Sequence, residues 1–157
     1  MVIRAKERIS IVLDKIDMNL FLSSGDLNKK QIVEGVRYFE KNKDKLQKSW
    51  EQYPDQRLGQ FLINNSIIND DFTLYNIEET KWLIDKELVE PRQMLFWGQI
   101  YDKDGNKLPE VRYSPIMDLN TEHIEKILET QHHISKLYKN AFEEELQLRK
   151  AWEETNY

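Results

Sequence analysis

The chain reads as an α+β protein, predominantly α, on three observations. Apolar residues recur at three- and four-residue spacing through most of its length. One Asp-Gly turn sits between two β-favouring runs, marking a β-hairpin at about 95–114. A last helical stripe covers 121–154. With 157 residues, the chain is expected to form a single domain, 1–157. That length allows roughly 68–70% of the unfolded surface to be buried.

The elements run in order from the N-terminus. Residues 3–17 place Ile9, Val12, Leu13 and Ile16 at helical spacing, with Leu20-Phe21-Leu22 adding apolar content, and Ser23-Ser24-Gly25-Asp26 closes that element. Asn28 suits an N-cap, Gln31 completes a capping box, and Leu27 and Ile32 occupy the staple positions. The helix they start, 28–53, is stopped by Pro54. Ile32, Val36, Phe39, Leu46, Trp50 and Tyr53 lie within about 100° of one another around it. Its weak point is Lys41-Asn42-Lys43-Asp44-Lys45, which leaves open whether 28–53 is one helix or two.

Asp55 reads as the cap of a short helix carrying Leu58, Phe61, Leu62 and Asn65. Residues 66–77 read as irregular or briefly extended, and 78–88 as a helix with Trp82, Leu83 and Leu88 inward. In the hairpin, Pro109 predicts an edge strand. Asn120 caps the last helix, with Leu119 and Ile124 as its staple. Ile124, Ile127, Leu128, Ile134, Tyr138, Ala141 and Phe142 form its stripe, which Leu146, Leu148 and Trp152 prolong. Unbroken, it would span about 50 Å, against a diameter near 40 Å for a compact chain of this size. It must bend, project or pack on a partner. Projection would make it the seam of a homo-oligomer.

Several chemistries are excluded. The absence of cysteine rules out disulfides, thiolate catalysis and Cys-ligated metals. No apolar run approaches the ~18 residues of a membrane span. Met1–Lys6 leads into mixed polar and apolar residues, which is not the pattern of a signal peptide, so a cytoplasmic protein with no membrane association is expected. Asp102-Lys103-Asp104-Gly105-Asn106 begins like an EF-hand loop. Positions six and twelve are however Lys107 and Tyr113 where calcium needs Gly and Glu. On one helix, His123, His132 and His133 would face different ways, so no metal is expected. No nucleophile elbow, Walker or Rossmann glycine pattern occurs. Asp70-Asp71 and Glu78-Glu79 read as helix caps rather than acid–base pairs. No enzyme activity and no cofactor are expected.

The most specific physical feature is a basic stripe. Lys30, Arg37, Lys41, Lys45 and Lys48 fall within about 80° on a continuous helix, opposite its apolar face. Residues 29–48 hold seven Lys/Arg and three Asp/Glu, a net +4, leaving −9 on the rest of a chain whose total is −5. Such a stripe suits an acidic partner, a small anionic ligand of the nucleotide kind or a nucleic-acid backbone, although the acidic remainder opposes approach to nucleic acid. Solvated charge on an amphipathic helix is the plain alternative. Trp97, Tyr101 and Tyr113 on the hairpin form a second candidate surface, with Trp97 the preferred anchor.

Trp50-Glu51-Gln52-Tyr53-Pro54-Asp55-Gln56-Arg57-Leu58-Gly59-Gln60 resembles a pattern in small uncharacterised bacterial and phage proteins, Trp…Tyr-Pro-Asp-x-Arg-Leu-Gly-Gln. There a Phe/Tyr-Ile-Glu-Asp-like segment comes next, and Phe72–Glu79 stands in its place, with Glu79 for the expected Asp. The match covers about 46–83 and is looser to the bacterial YihD family. Trp97–Gly105 and Asp118–Ile124 are similar to a hairpin and helix start in phage accessory proteins, with Tyr101-Asp102 departing from the Tyr-Gly found there. The resemblance implies a phage or prophage product and brings no activity or catalytic residue. On the residues themselves, the motif is a fold-defining corner: Trp50 and Tyr53 close one helix, Pro54-Asp55 turns, and Gly59 permits close approach. Arg57 and Gln60 either form an outward polar pair or bond back to the turn. The resulting expectation is a non-enzymatic phage accessory protein in a bacterial host cell. It would bind a host protein, with inhibition of a defence or housekeeping factor as one outcome. Its candidate contact residues are Lys30, Arg37, Lys41, Lys45, Lys48, Arg57 and Trp97.

Overall fold

The computed structural model describes residues 5–155. Positions 3 and 4 of the first expected helix, and most of the segment read as lacking a signal peptide, lie outside them. The described residues form ten α-helices and one two-stranded antiparallel hairpin. The chain gathers into two compact units, Met1–Val89 and Glu90–Tyr157.

Among the described residues, the regular structure of the first unit is helical throughout. Its opening apolar stripe forms two helices, α1 (Arg8–Lys15) and α2 (Met18–Ser23), because Asp17 caps a new start by accepting from Leu20 N–H at 3.0 Å. Then α3 (Lys29–Lys41) begins with the expected capping box between Asn28 and Gln31. The helix breaks at Asn42, whose side chain donates to Tyr38 O at 2.9 Å, and resumes as α4 (Lys43–Glu51). Phe39, Leu46 and Trp50 of the expected stripe are buried, whereas Tyr53 is 61% exposed, beyond the end of α4. The short helix α5 (Leu58–Asn64) starts from Arg57 instead of Asp55, with Gln60 Oε1 accepting from Arg57 N–H.

The stretch 66–77 also departs from expectation. It contains α6 (Phe72–Asn76), nucleated by Asp71, whose carboxylate accepts from Leu74 N–H at 3.0 Å and Asp26 N–H at 2.6 Å. A pair of acids reads as a cap, and one of them proves to be one. Helix α7 (Glu79–Asp85) closes the unit with Leu83 fully buried, while Trp82 is half-buried and meets Phe21 edge to face at 5.4 Å.

The second unit opens with α8 (Pro91–Met94), proline at its first position. Strands β1 (Phe96–Tyr101) and β2 (Lys107–Pro115) pair from Phe96↔Pro115 to Gln99↔Arg112 and again at Tyr101↔Lys107. Between those last pairs β2 carries three more residues than β1, and Pro109, which has no N–H for a ladder, lies in that irregular stretch. At the turn, Gly105 takes φ +82° and Asp102 Oδ1 accepts from Asp104 and Asn106 N–H. A 3₁₀ turn, Ile116–Asp118, leads to α9 (Thr121–Thr130), capped by Asn120 as expected.

The expected 121–154 helix is two helices. It stops at Gln131 and restarts as α10 (Lys136–Thr155), where Ser135 Oγ accepts from Tyr138 N–H at 3.3 Å. At 20 residues α10 is about 30 Å long, shorter than the roughly 50 Å of one unbroken helix, and its residues 150–155 are exposed. The break also takes His132 and His133 off any helix, and both are exposed. The core of this unit is Met94, Leu95, Ile116, Leu119, Ile124, Ile127, Ala141 and Phe142. No described helix is long and apolar enough to cross a membrane.

Candidate functional site

The Trp50–Gln60 motif builds a closed corner. Trp50 is fully buried, stacks on Phe61 at 5.7 Å, and its indole N–H donates to Gln56 O at 2.9 Å. The Arg8 guanidinium lies over the Trp50 ring at 5.1 Å and donates to Pro54 O at 2.9 Å and Gln56 O at 3.3 Å. Its charge is met by Glu79, which is completely buried and also accepts from Leu58 N–H at 3.1 Å. One carboxylate thus neutralises a cation and satisfies an N-terminal donor of α5.

Arg57, a candidate contact residue, bonds back into this corner. Its Nε donates to Tyr75 O at 3.2 Å, and Gln60 donates to the Tyr75 hydroxyl at 3.0 Å. A Cβ on Gly59 would sit 1.8 Å from Leu74 O, so only glycine lets α5 and α6 approach this closely. The motif residues are spent on shape.

The basic residues lie elsewhere in the first unit. Lys30, Arg37 and Lys41 share one face of α3, and Lys45 and Lys48 come after them on α4, so the Asn42 break divides the stripe. All five are exposed, and among the described residues none has a carboxylate within 4.0 Å. From Lys30 to Lys41 the α3 face runs about 16 Å.

In the second unit, Glu145 of α10 is buried between two guanidinium groups, with Arg92 at 2.6 and 2.9 Å and Arg149 at 2.9 Å. Burial pushes its pKa upward. Hydrogen bonds and charge from both arginines overcome this and hold the carboxyl below the ordinary glutamate range. Arg149 also donates to Thr121 Oγ1 and to the Met117 carbonyl. This cluster joins α8, α9 and α10.

Trp97 is half-buried, edge-on to Tyr138 at 6.1 Å and Phe142 at 5.5 Å, and the Tyr138 hydroxyl donates to Phe96 O at 2.8 Å. Tyr101 is 58% exposed. Trp97 borders an open cleft of about 490 Å³ between β1 and α9. In its lining Gln99 Nε2 lies 3.2 Å from His123 Nδ1. Burial first, and Lys126 second, depress the His123 pKa. The other charges bordering this cleft are Asp102 and Lys103 of the turn and Glu122 of α9. The stability that neutral His123 contributes is therefore present above the ordinary imidazole value, about 6.5, and lost as pH falls through its lower folded value. An NMR titration of the ring is expected to show a midpoint below about 6.5; a midpoint above it contradicts the burial.

Among the described residues no group of three His, Asp or Glu gathers to hold a metal. Comparison with protein-family models, curated proteins and solved structures gives no match. The Gln99–His123 pair was not legible in the sequence, where the two are 24 residues apart. The buried charges did leave a trace. Arg8, Glu79 and Glu145 each lie on an apolar stripe, four residues from Val12, Leu83 and Ala141.

Proposed function

We propose that the protein is a non-enzymatic binding protein whose α3–α4 basic face docks on an acidic surface of a host protein. One observation carries this reading: five exposed cations, without carboxylate partners among the described residues, stand on a chain that is otherwise strongly acidic. By contrast, Arg8, Arg57, Arg92, Arg149, Glu79 and Glu145 are all engaged in holding the fold. A face about 16 Å long on α3 alone, continued beyond a helix break, suits an extended protein surface better than one small anion. The −9 on the remaining residues disfavours nucleic acid by long-range repulsion. The bacterial host and the phage origin, with inhibition of a defence or housekeeping factor, rest on the motif resemblance alone.

The test is capture from bacterial lysate with the native chain and with a Lys30→Ala, Arg37→Ala, Lys41→Ala variant. These side chains are exposed, so the variant is expected to melt like the parent. One acidic protein should be retained, with affinity reduced about tenfold in the variant and falling steeply with salt. Retention of the same protein by both forms, independent of salt, contradicts the assignment. Binding of a nucleotide or of nucleic acid that the variant abolishes moves the same face to the alternative reading.

A further inference from the structure

The cleft between β1 and α9 is independent of the basic face. In a strand, alternate residues share a side, so Trp97, Gln99 and Tyr101 line one wall over about 13 Å. In a helix, residues 123, 127 and 130 share a side, so His123, Ile127 and Thr130 line the other. Two aromatic rings thus flank a hydrogen-bonding pair, and the buried Ile127 supplies apolar surface. The volume of about 490 Å³ falls within the range of small-molecule sites, roughly 300–1,000 Å³.

The Gln99–His123 pair defines what fits. With Gln99 Nε2 donating to His123 Nδ1, the ring proton sits on Nε2, which is then a donor. The Gln99 amide keeps Oε1 as an acceptor and a second N–H as a donor. A carboxamide offering one donor and one acceptor side by side complements the same pair on a nucleobase edge. Lys103 and Lys126 border the cleft, and Asp102 and Glu122 offset them, so formal charge there is balanced.

We propose that this cleft binds an uncharged planar heteroaromatic ring of the nucleobase class, stacked on Tyr101 or Trp97 and held by Gln99 and His123. Depression of the His123 pKa agrees with this, since protonation would put a second donor against the Gln99 amide.

The experiment is an NMR titration of the full chain with adenosine, its 5′-monophosphate, indole and inorganic phosphate, each to about 5 mM. Adenosine is expected to shift the Gln99 side-chain amide and the Ile127 backbone amide saturably. The monophosphate should bind within about threefold of it, because the charges at the site cancel. Tyr101→Ala, at an exposed position, should weaken adenosine about fivefold or more through lost stacking. Gln99→Leu should weaken adenosine about tenfold and leave indole unchanged. Any of three results overturns the proposal: no saturable shift with adenosine; indole shifting the same amides equally with Gln99→Leu indifferent; or inorganic phosphate alone reproducing the shifts.

Discussion

Replacing Glu79 by alanine is expected to lower stability by about 3–5 kcal/mol, because it leaves Arg8 buried and uncompensated beneath Trp50. The loss should concentrate in the first unit, where Leu58 N–H also loses its acceptor. A urea midpoint reads the total, and hydrogen exchange at α1, α5 and α7 amides reads its location. The double variant Arg8→Met with Glu79→Leu should recover only part of the loss. It removes the stranded charge but leaves the Pro54 and Gln56 carbonyls without the guanidinium donor they share. A Glu79→Ala variant with an unchanged midpoint would show that the corner is not held by this pair.

Glu145→Gln is expected to cost about 2 kcal/mol at neutral pH, since two part-exposed arginines lose their charge-assisted hydrogen bonds to a common carboxylate. It also carries a pH signature. Glu145 has its folded pKa below the ordinary value of 4.5. Its contribution is therefore fully present above that value and is lost as pH falls through the folded one. The native chain should lose stability as it is acidified below about 4.5, and the glutamine variant should lose less over the same window. Parallel acid profiles for the two proteins would contradict this.

Much of the fold was legible in the sequence because local signals decided it. Asn28 with Gln31, Asn120 and the Asp-Gly turn act within a few residues, and each forms as expected. The basic tract at 41–45 marked the Asn42 break for the same reason. The departures share a different cause. Asp71 nucleates α6 and Ser135 restarts a helix where apolar periodicity alone ran through or fell silent. Arg57 displaced Asp55 as the cap because Gln60 bonds its backbone and Tyr75 anchors its side chain, a tertiary choice. The corner was readable as a corner, but its two charges were not: Arg8 and Glu79 are 71 residues apart. The cleft in the second unit depends on a hairpin lying against α9, which no spacing within either element encodes.

That separation between Arg8 and Glu79 has a bearing on biosynthesis. At roughly 5–20 residues per second, a ribosome adds the carboxylate about 4–14 s after the arginine. For the last part of that interval, about 1.5–6 s from Trp50 onward, the nascent chain carries Trp50 without the carboxylate that pairs with the arginine over its ring. The corner's charge pairing is thus completed only when α7 is made, long after the arginine it neutralises.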